Sequence, residues 1–173
     1  GATGRNHGLL HSGARYAVTD RESAEECIKE NMILRKIARH CVEETEGLFL
    51  TLPEDDLAYQ AKFVESCQAA GINAEIIDPK EALRMEPSAN PDLIGAVKVP
   101  DGAVDPFRLT SANVIDAKLH GAKVMVYSEV TDIIKDGDTV KGVRTFNHIT
   151  KQSEEYFAPI TVNAGGIWGQ HIA

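Results

Sequence analysis

Residues 124–169 read VMVYSEVTDIIKDGDTVKGVRTFNHITKQSEEYFAPITVNAGGIWG, and their pattern decides the fold class. VMVYSEV, TDIIK, TVKGVRTF, EEYFAP and ITVNA are short runs rich in β-branched and aromatic residues, separated by polar breaks, so each predicts a strand. Asp136-Gly137-Asp138 falls between two of them and is a hairpin signal, because a tight turn needs a residue that accepts positive φ. Val124 to Val162 therefore predicts a small β-meander. Its last strand ends at Asn163-Ala164-Gly165-Gly166 and runs into Ile167-Trp168-Gly169, a strand, a glycine turn and a helix start.

Toward the N-terminus the period changes. Pro106 opens a helix through about His120, closed by Gly121. Ile94 to Val99, Ala74 to Ile77 and GLFLTL at 47–52 are apolar runs bounded by turn residues and predict strands. Between them, Glu54 to Ala70 predicts a helix stopped at Gly71, and Pro79 starts a short one to about Met85. Asp20 can cap a helix to about Arg39, with Ala24, Ile28, Ile33, Leu34 and Ile37 as its apolar stripe. Gly1 to Tyr16 is a polar loop with four glycines. The class expected is α/β (α+β mixed), with helices, a mixed sheet and a largely antiparallel meander. The divisions expected are 1–46, 47–121 and 122–173.

Composition narrows the function classes. The 173 residues carry a formal net charge of −8, which argues against nucleic-acid binding, since that needs a basic face to displace counterions. A small anion answers to a local Arg or Lys cluster and stays possible. Cys27, Cys41 and Cys67 form no C-x-x-C and no even set, so a reducing compartment is expected and no metal site. No apolar run reaches the roughly 18–20 residues of a membrane span. The opening GATGRN has no apolar core of a signal peptide and no initiator Met, so a piece cut from a longer protein is expected.

Three stretches carry chemistry. In the first, His11-Ser12-Gly13-Ala14-Arg15-Tyr16, glycine lets backbone N–H groups approach an anion or a flat ring, Arg15 offers a bidentate fork and Tyr16 a hydroxyl. A solvated surface loop is an equal reading of the same residues. The second is Val162 to Trp168, where unpaired N–H groups at a helix start favour anions, although a plain β–α turn fits as well. In the third, Asp101-Gly102 and Asp105-Pro106 read as a turn and a helix cap, architecture before catalysis. His7 and His11 lie four apart, but Gly8 and the loop composition speak against a helical metal pair.

Together these stretches resemble a known family. ATGRNHGLLHSGARY is similar to the second FAD-contacting loop of the amino-acid-oxidase-like flavoproteins, and its HSGARY ending to their glycerol-3-phosphate dehydrogenase branch. GLFLTLPEDD, VPDGAVDPFRLT and VNAGGIWGQHIA resemble the anaerobic type of that branch. The resemblance implies FAD as cofactor and oxidation of sn-glycerol 3-phosphate to dihydroxyacetone phosphate. Electrons would pass to quinone through the other members of a membrane-bound dehydrogenase complex. It implies a cytoplasmic protein held peripherally at the inner face of the cell membrane. Thr3, Gly4, Arg5, Asn6, Gly8, Leu9, Leu10 and His11 would contact FAD, as would Val130 through its backbone and Asn163, Ala164, Gly165, Gly166 and Trp168. Arg15 and Tyr16 would line the substrate pocket. On this reading 1–46 is an FAD-contacting loop and helix, 47–121 part of a cap or substrate domain, and 122–173 part of the FAD domain.

Gly165 stands where the family motif reads Ala. The family's first βαβ unit, with its G-x-G-x-x-G, has no counterpart here, and no general base can be named. The chain is therefore expected to be inactive alone. Two alternatives remain: an FAD-dependent oxidase of amino or hydroxy acids, with Arg15 on a carboxylate, and a non-catalytic binding or assembly domain.

Overall fold

Side-chain caps set where the helices begin. The computed structural model describes residues 1–172; Ala173, the last residue of the VNAGGIWGQHIA stretch and of the 122–173 division, lies outside them. Strand β1 (Leu9–Leu10) precedes a 3-10 turn at Ala14–Tyr16 and helix α1 (Arg21–Ile37). Asp20 caps α1 by accepting from Ser23 N at 3.1 Å and from the Ser23 hydroxyl at 2.6 Å. Next come β2 (Val42–Glu43), β3 (Gly47–Thr51), α2 (Tyr59–Ala69), β4 (Glu75–Ile77) and α3 (Pro79–Met85). Asp78 caps α3, accepting from Lys80 N at 2.8 Å, with Pro79 at the position where a missing N–H costs nothing. The chain continues through β5 (Gly95–Val99), β6 (Gly102–Val104), α4 (Pro106–Leu119), β7 (Ser128–Asp136), β8 (Thr139–Asn147) and β9 (Ser153–Phe157), and ends on a 3-10 turn at Gly166–His171. No described helix is long and apolar enough to cross a membrane.

The chain divides into two units, one holding Thr3–Ala112 and the other running from Asn113 onward. The first contains two three-stranded antiparallel sheets, ordered β1-β6-β2 and β3-β5-β4. Central β5 is buried at every position but Lys98, which explains why its sequence is apolar apart from that lysine. Lys98 reaches out between Glu75 at 3.1 Å and Glu46 at 3.7 Å. The main core joins Ala24 and Ile28 of α1, Phe63 and Cys67 of α2, and Val97 and Val99 of β5.

Three expectations for this unit change. Ile33 and Ile37 are 46% and 69% exposed, and the buried stripe of α1 is Ala24, Ile28 and Asn31, followed by half-buried Arg35. Helix α2 begins at Tyr59 rather than Glu54, because the Asp55 carboxylate accepts from Leu52 N at 2.8 Å and that of Asp56 from Ala58 N at 2.9 Å, fastening turns there. Gly102–Val104 is a strand that pairs on both sides, too short to carry a period-2 signal.

Buried Cys67 makes a pH prediction. Burial first, and then the negative charge of Asp101, push its thiol up to about 11 from the ordinary 9.0. The fold holds the neutral form, so the stabilisation is complete below the unfolded value and is lost as pH rises from 9 toward 11. Urea unfolding at about pH 8 and about pH 10.5 should show a larger loss of stability in the native chain than in Cys67→Ala. Equal losses in both would exclude this linkage.

The second unit carries the meander, ordered β7-β8-β9 and antiparallel throughout. The two strands expected at 124–130 and 131–135 are one strand, β7, with register shifts between Val130 and Asp132 and between Ile134 and Lys135. It starts only at Ser128, because Tyr127 takes a left-handed φ of 57° that breaks extension. Gly137 turns the hairpin with φ 58°. A side chain at Gly142 would run into the Tyr156 carbonyl, so β8 and β9 approach closely there. Arg144 spans the sheet, 3.1 Å from Asp132 and 2.9 Å from Glu155. The expected strand ITVNA is absent: Ile160 and Val162 are each 79% exposed and 160–164 pairs with no described strand. An extended segment without a hydrogen-bonding neighbour is not a strand.

Candidate functional site

The opening loop fastens itself. Asn6 donates to the Thr3 carbonyl at 2.7 Å and accepts from Gly8 N at 2.8 Å, and the His7 ring accepts from Leu9 N at 3.2 Å. These bonds leave Thr3, Gly4, Arg5 and Asn6 exposed on the turn. The Gly8 carbonyl accepts from Val104 N at 2.7 Å, feeding the chain into β1 beside β6. Strand alternation then turns Leu10 into the core and leaves Leu9 42% exposed.

After β1 the loop is held from below. The amide of buried Ser12 donates to the Asp101 carboxylate at 2.6 Å. Asn31 of α1, fully buried, donates to the carbonyls of Leu10 at 3.0 Å and Pro100 at 3.3 Å. Arg35, one turn on, donates to Asn31 at 2.8 Å and to the carbonyls of Pro100 at 2.9 Å and Asp101 at 3.0 Å. Helix α1 thus supplies the donors that two loop segments lack. The bonds of Arg35 and of the Asp101 carboxylate are the strong ones, because one partner is charged.

Above this network lies a cleft of about 260 Å³ lined by Leu9, His11, Ala14, Arg15, Phe49 and Asp101. Tyr16 stands beside it, its ring 5.9 Å from that of His11 at 71°, with the Arg15 guanidinium 5.8 Å from the Tyr16 ring. His11 Nδ1 and Ser12 Oγ are buried without a hydrogen-bond partner. Three of the residues expected at the site, Leu9, His11 and Arg15, therefore share one cleft. Leu10 points away from it, and its carbonyl is already taken by Asn31. Phe49 and Asp101 are additions that sequence reading did not place there; Asp101 read chiefly as a turn residue.

The remaining candidates lie in the second unit. Val130 is half-buried in β7 opposite Thr145. Asn163 accepts from Gly165 N at 3.0 Å and donates to the Gly169 carbonyl at 2.8 Å, so both ends of its amide hold the glycine turn. Ala164 and Gly166 are exposed, Gly165 is half-buried, and Trp168 is 44% exposed. No group of three or more His, Cys, Asp or Glu among the described residues could hold a metal ion.

Residues 1–173 match the family of FAD dependent oxidoreductases along their full length. The chain belongs to the FAD-dependent oxidoreductases. Within this family it is 67% identical over 173 residues to the A component of the anaerobic glycerol-3-phosphate dehydrogenase of Escherichia coli (strain K12), covering 100% of this chain and 32% of that one. It is 49% identical over 181 residues to the A1 component of the Haloferax volcanii anaerobic glycerol-3-phosphate dehydrogenase, covering 99% of this chain and 31% of the other. Among solved FAD-dependent structures, the glycerol-3-phosphate dehydrogenase of Bacillus halodurans complexed with FAD superimposes with a TM-score of 0.67 at 21% identity, over 97% of this chain and 27% of that one. At that identity the likeness carries the fold alone. The chain spans about a third of the length of the curated relatives it matches. A flavin suits what the first unit offers: exposed apolar Leu9 beside a cleft, and two buried polar atoms, His11 Nδ1 and Ser12 Oγ, that lack partners.

Proposed function

We propose that this chain is the part of a longer enzyme that contributes one wall of its flavin and substrate site, and that the enzyme oxidises sn-glycerol 3-phosphate to dihydroxyacetone phosphate. The observation that carries the reading is the cleft holding Arg15 next to His11, in a chain 67% identical to a protein named for that substrate. FAD, when bound, supplies the acceptor for the hydride leaving the substrate's C2. Thr3, Gly4, Arg5, Asn6, Gly8, Leu9 and His11 contact it, while Leu10, turned into the core, braces them from behind. In the second unit, Val130, Asn163, Ala164, Gly165, Gly166 and Trp168 are the residues proposed to contact FAD, with Asn163 shaping the turn. The Arg15 fork binds the substrate phosphate through charge-assisted hydrogen bonds, and Tyr16 holds the guanidinium in place from the side. The electrons leave through other proteins of the dehydrogenase complex toward quinone, and the enzyme sits peripherally on the inner face of the cell membrane. Taken alone, the chain is inactive.

Anaerobic titration of the full-length enzyme tests this. The flavin absorbance should bleach with sn-glycerol 3-phosphate and not with an amino acid or a 2-hydroxy acid. Bleaching by glycine or lactate alone would move Arg15 onto a carboxylate and sink the reading. Arg15→Ala should lower kcat/KM by about 1.5–3 kcal/mol, roughly 10- to 150-fold, the worth of a hydrogen bond to a charged group. Unchanged kinetics would remove Arg15 from the site.

A further inference from the structure

We infer that Asp101 is the positioning residue of the substrate loop: its carboxylate fixes the Ser12 backbone, and through it the placement of Arg15. This rests on the reading of Arg15 as the phosphate ligand. The geometry is specific. Asp101 is 8% exposed, in the bend between β5 and β6. Its Oδ1 takes the Ser12 N–H at 2.6 Å, across 89 residues of sequence. Ser12 is followed directly by Gly13 and the 3-10 turn Ala14–Tyr16, so the anchor lies three residues before the guanidinium it serves.

The Pro100-Asp101 backbone is held from α1, and the Asp101 side chain is given room by Gly47. Arg35 grips the carbonyls of Pro100 and Asp101 from below. Asn31 ties the Pro100 carbonyl to that of Leu10, so both strands entering the cleft share one donor. A Cβ at Gly47 would stand 2.9 Å from the Asp101 carboxylate. A group held this firmly transmits position rather than merely filling space. Asp101 also lines the cleft, but the oxygen that meets Ser12 is the one that positions the loop.

What the Ser12 N–H needs is an acceptor at that spot, not a charge. Asp101→Asn keeps an oxygen there, Asp101→Ala removes it, and Asp101→Glu moves it outward by one methylene. In the full-length enzyme with FAD bound, Asp101→Asn should keep KM for sn-glycerol 3-phosphate within about threefold of native. Asp101→Ala and Asp101→Glu should raise it about 10- to 100-fold, the usual effect of an ångström-scale misplacement. The decisive comparison is made in an Arg15→Ala background. If Asp101 acts through Arg15, adding Asp101→Ala or Asp101→Glu should raise KM by no more than about threefold further, because coupled residues are non-additive. Should Asp101→Ala fail to fold, the Asn and Glu variants decide alone.

Full additivity with Arg15→Ala would overturn the inference. So would an Asp101→Asn enzyme with low kcat and a missing limb in its pH–rate profile, which would make the carboxylate an acid or base. A native enzyme whose flavin is not reduced by sn-glycerol 3-phosphate would instead sink the functional reading, and the two failures are told apart by that first control.

Discussion

Gly13→Ala is expected to remove about 2–5 kcal/mol of unfolding free energy, a large share of the roughly 5–15 kcal/mol typical of a domain. Gly13 sits where the loop meets α1, with φ 90°. A side chain in that left-handed region costs about 1–2 kcal/mol before any contact is counted. Here contacts add to it. A Cβ would stand 2.7 Å from the Ala24 carbonyl oxygen and 2.8 Å from Cys27 Cβ, and both belong to the rigid body of the helix. Neither can retreat as a flexible side chain would, and overpacking of this kind costs about 1–3 kcal/mol. Urea denaturation of the chain measures the sum. A loss under about 1 kcal/mol would mean that the loop stands off the helix and is not wedged against it.

Asn31→Leu is expected to cost about 3 kcal/mol, although it replaces a polar residue inside a core by an apolar one of similar size. Asn31 has no exposed surface, and its side chain satisfies two carbonyls and one guanidinium N–H. Leucine would take from the Leu10 carbonyl the donor it has besides its pairing with Gly102, and would leave the Arg35 Nε without a partner; a buried orphan costs about 1–3 kcal/mol. Ile33→Ala is the control. Ile33 is 46% exposed, so the same urea experiment should show well under 1 kcal/mol there, on the order of an ordinary surface change. A chain that tolerated Asn31→Leu and collapsed with Ile33→Ala would reverse the orientation of α1.

These two residues show where sequence reading works and where it stops. The fold class was legible because strand alternation and the Asp136-Gly137 turn are local signals, and so were the caps at Asp20 and Asp78. The stripe on α1 was misjudged because hydrophobicity ranks Ile33 and Ile37 above Asn31, while burial follows the demand of distant carbonyls for a donor. The start of α2 was missed because Asp55 and Asp56 suit a helix N-terminus as well as the turns they make. ITVNA reads as a strand by composition, yet pairing is a property of neighbours.

The candidate site divides in the same way. Glycines and Arg15 marked the HSGARY loop because their chemistry is written in consecutive residues. Phe49 and Asp101 reach the same cleft from far along the chain, and only the folded register of β3, β5 and β6 brings them there. The Asn163 turn was legible as a glycine turn, but not the amide that ties it at both ends.

The network beneath the cleft also constrains how such a chain can drift. Asn31 and Arg35 bond each other and share the Pro100 carbonyl, so changing Asn31 leaves the Arg35 Nε with an unmet bond. A lineage that sheds this pair must lose both members nearly together, or pass through a fragile intermediate. The exposed face of α1 at Met32 and Ile33 carries no such debt and is free to wander one substitution at a time.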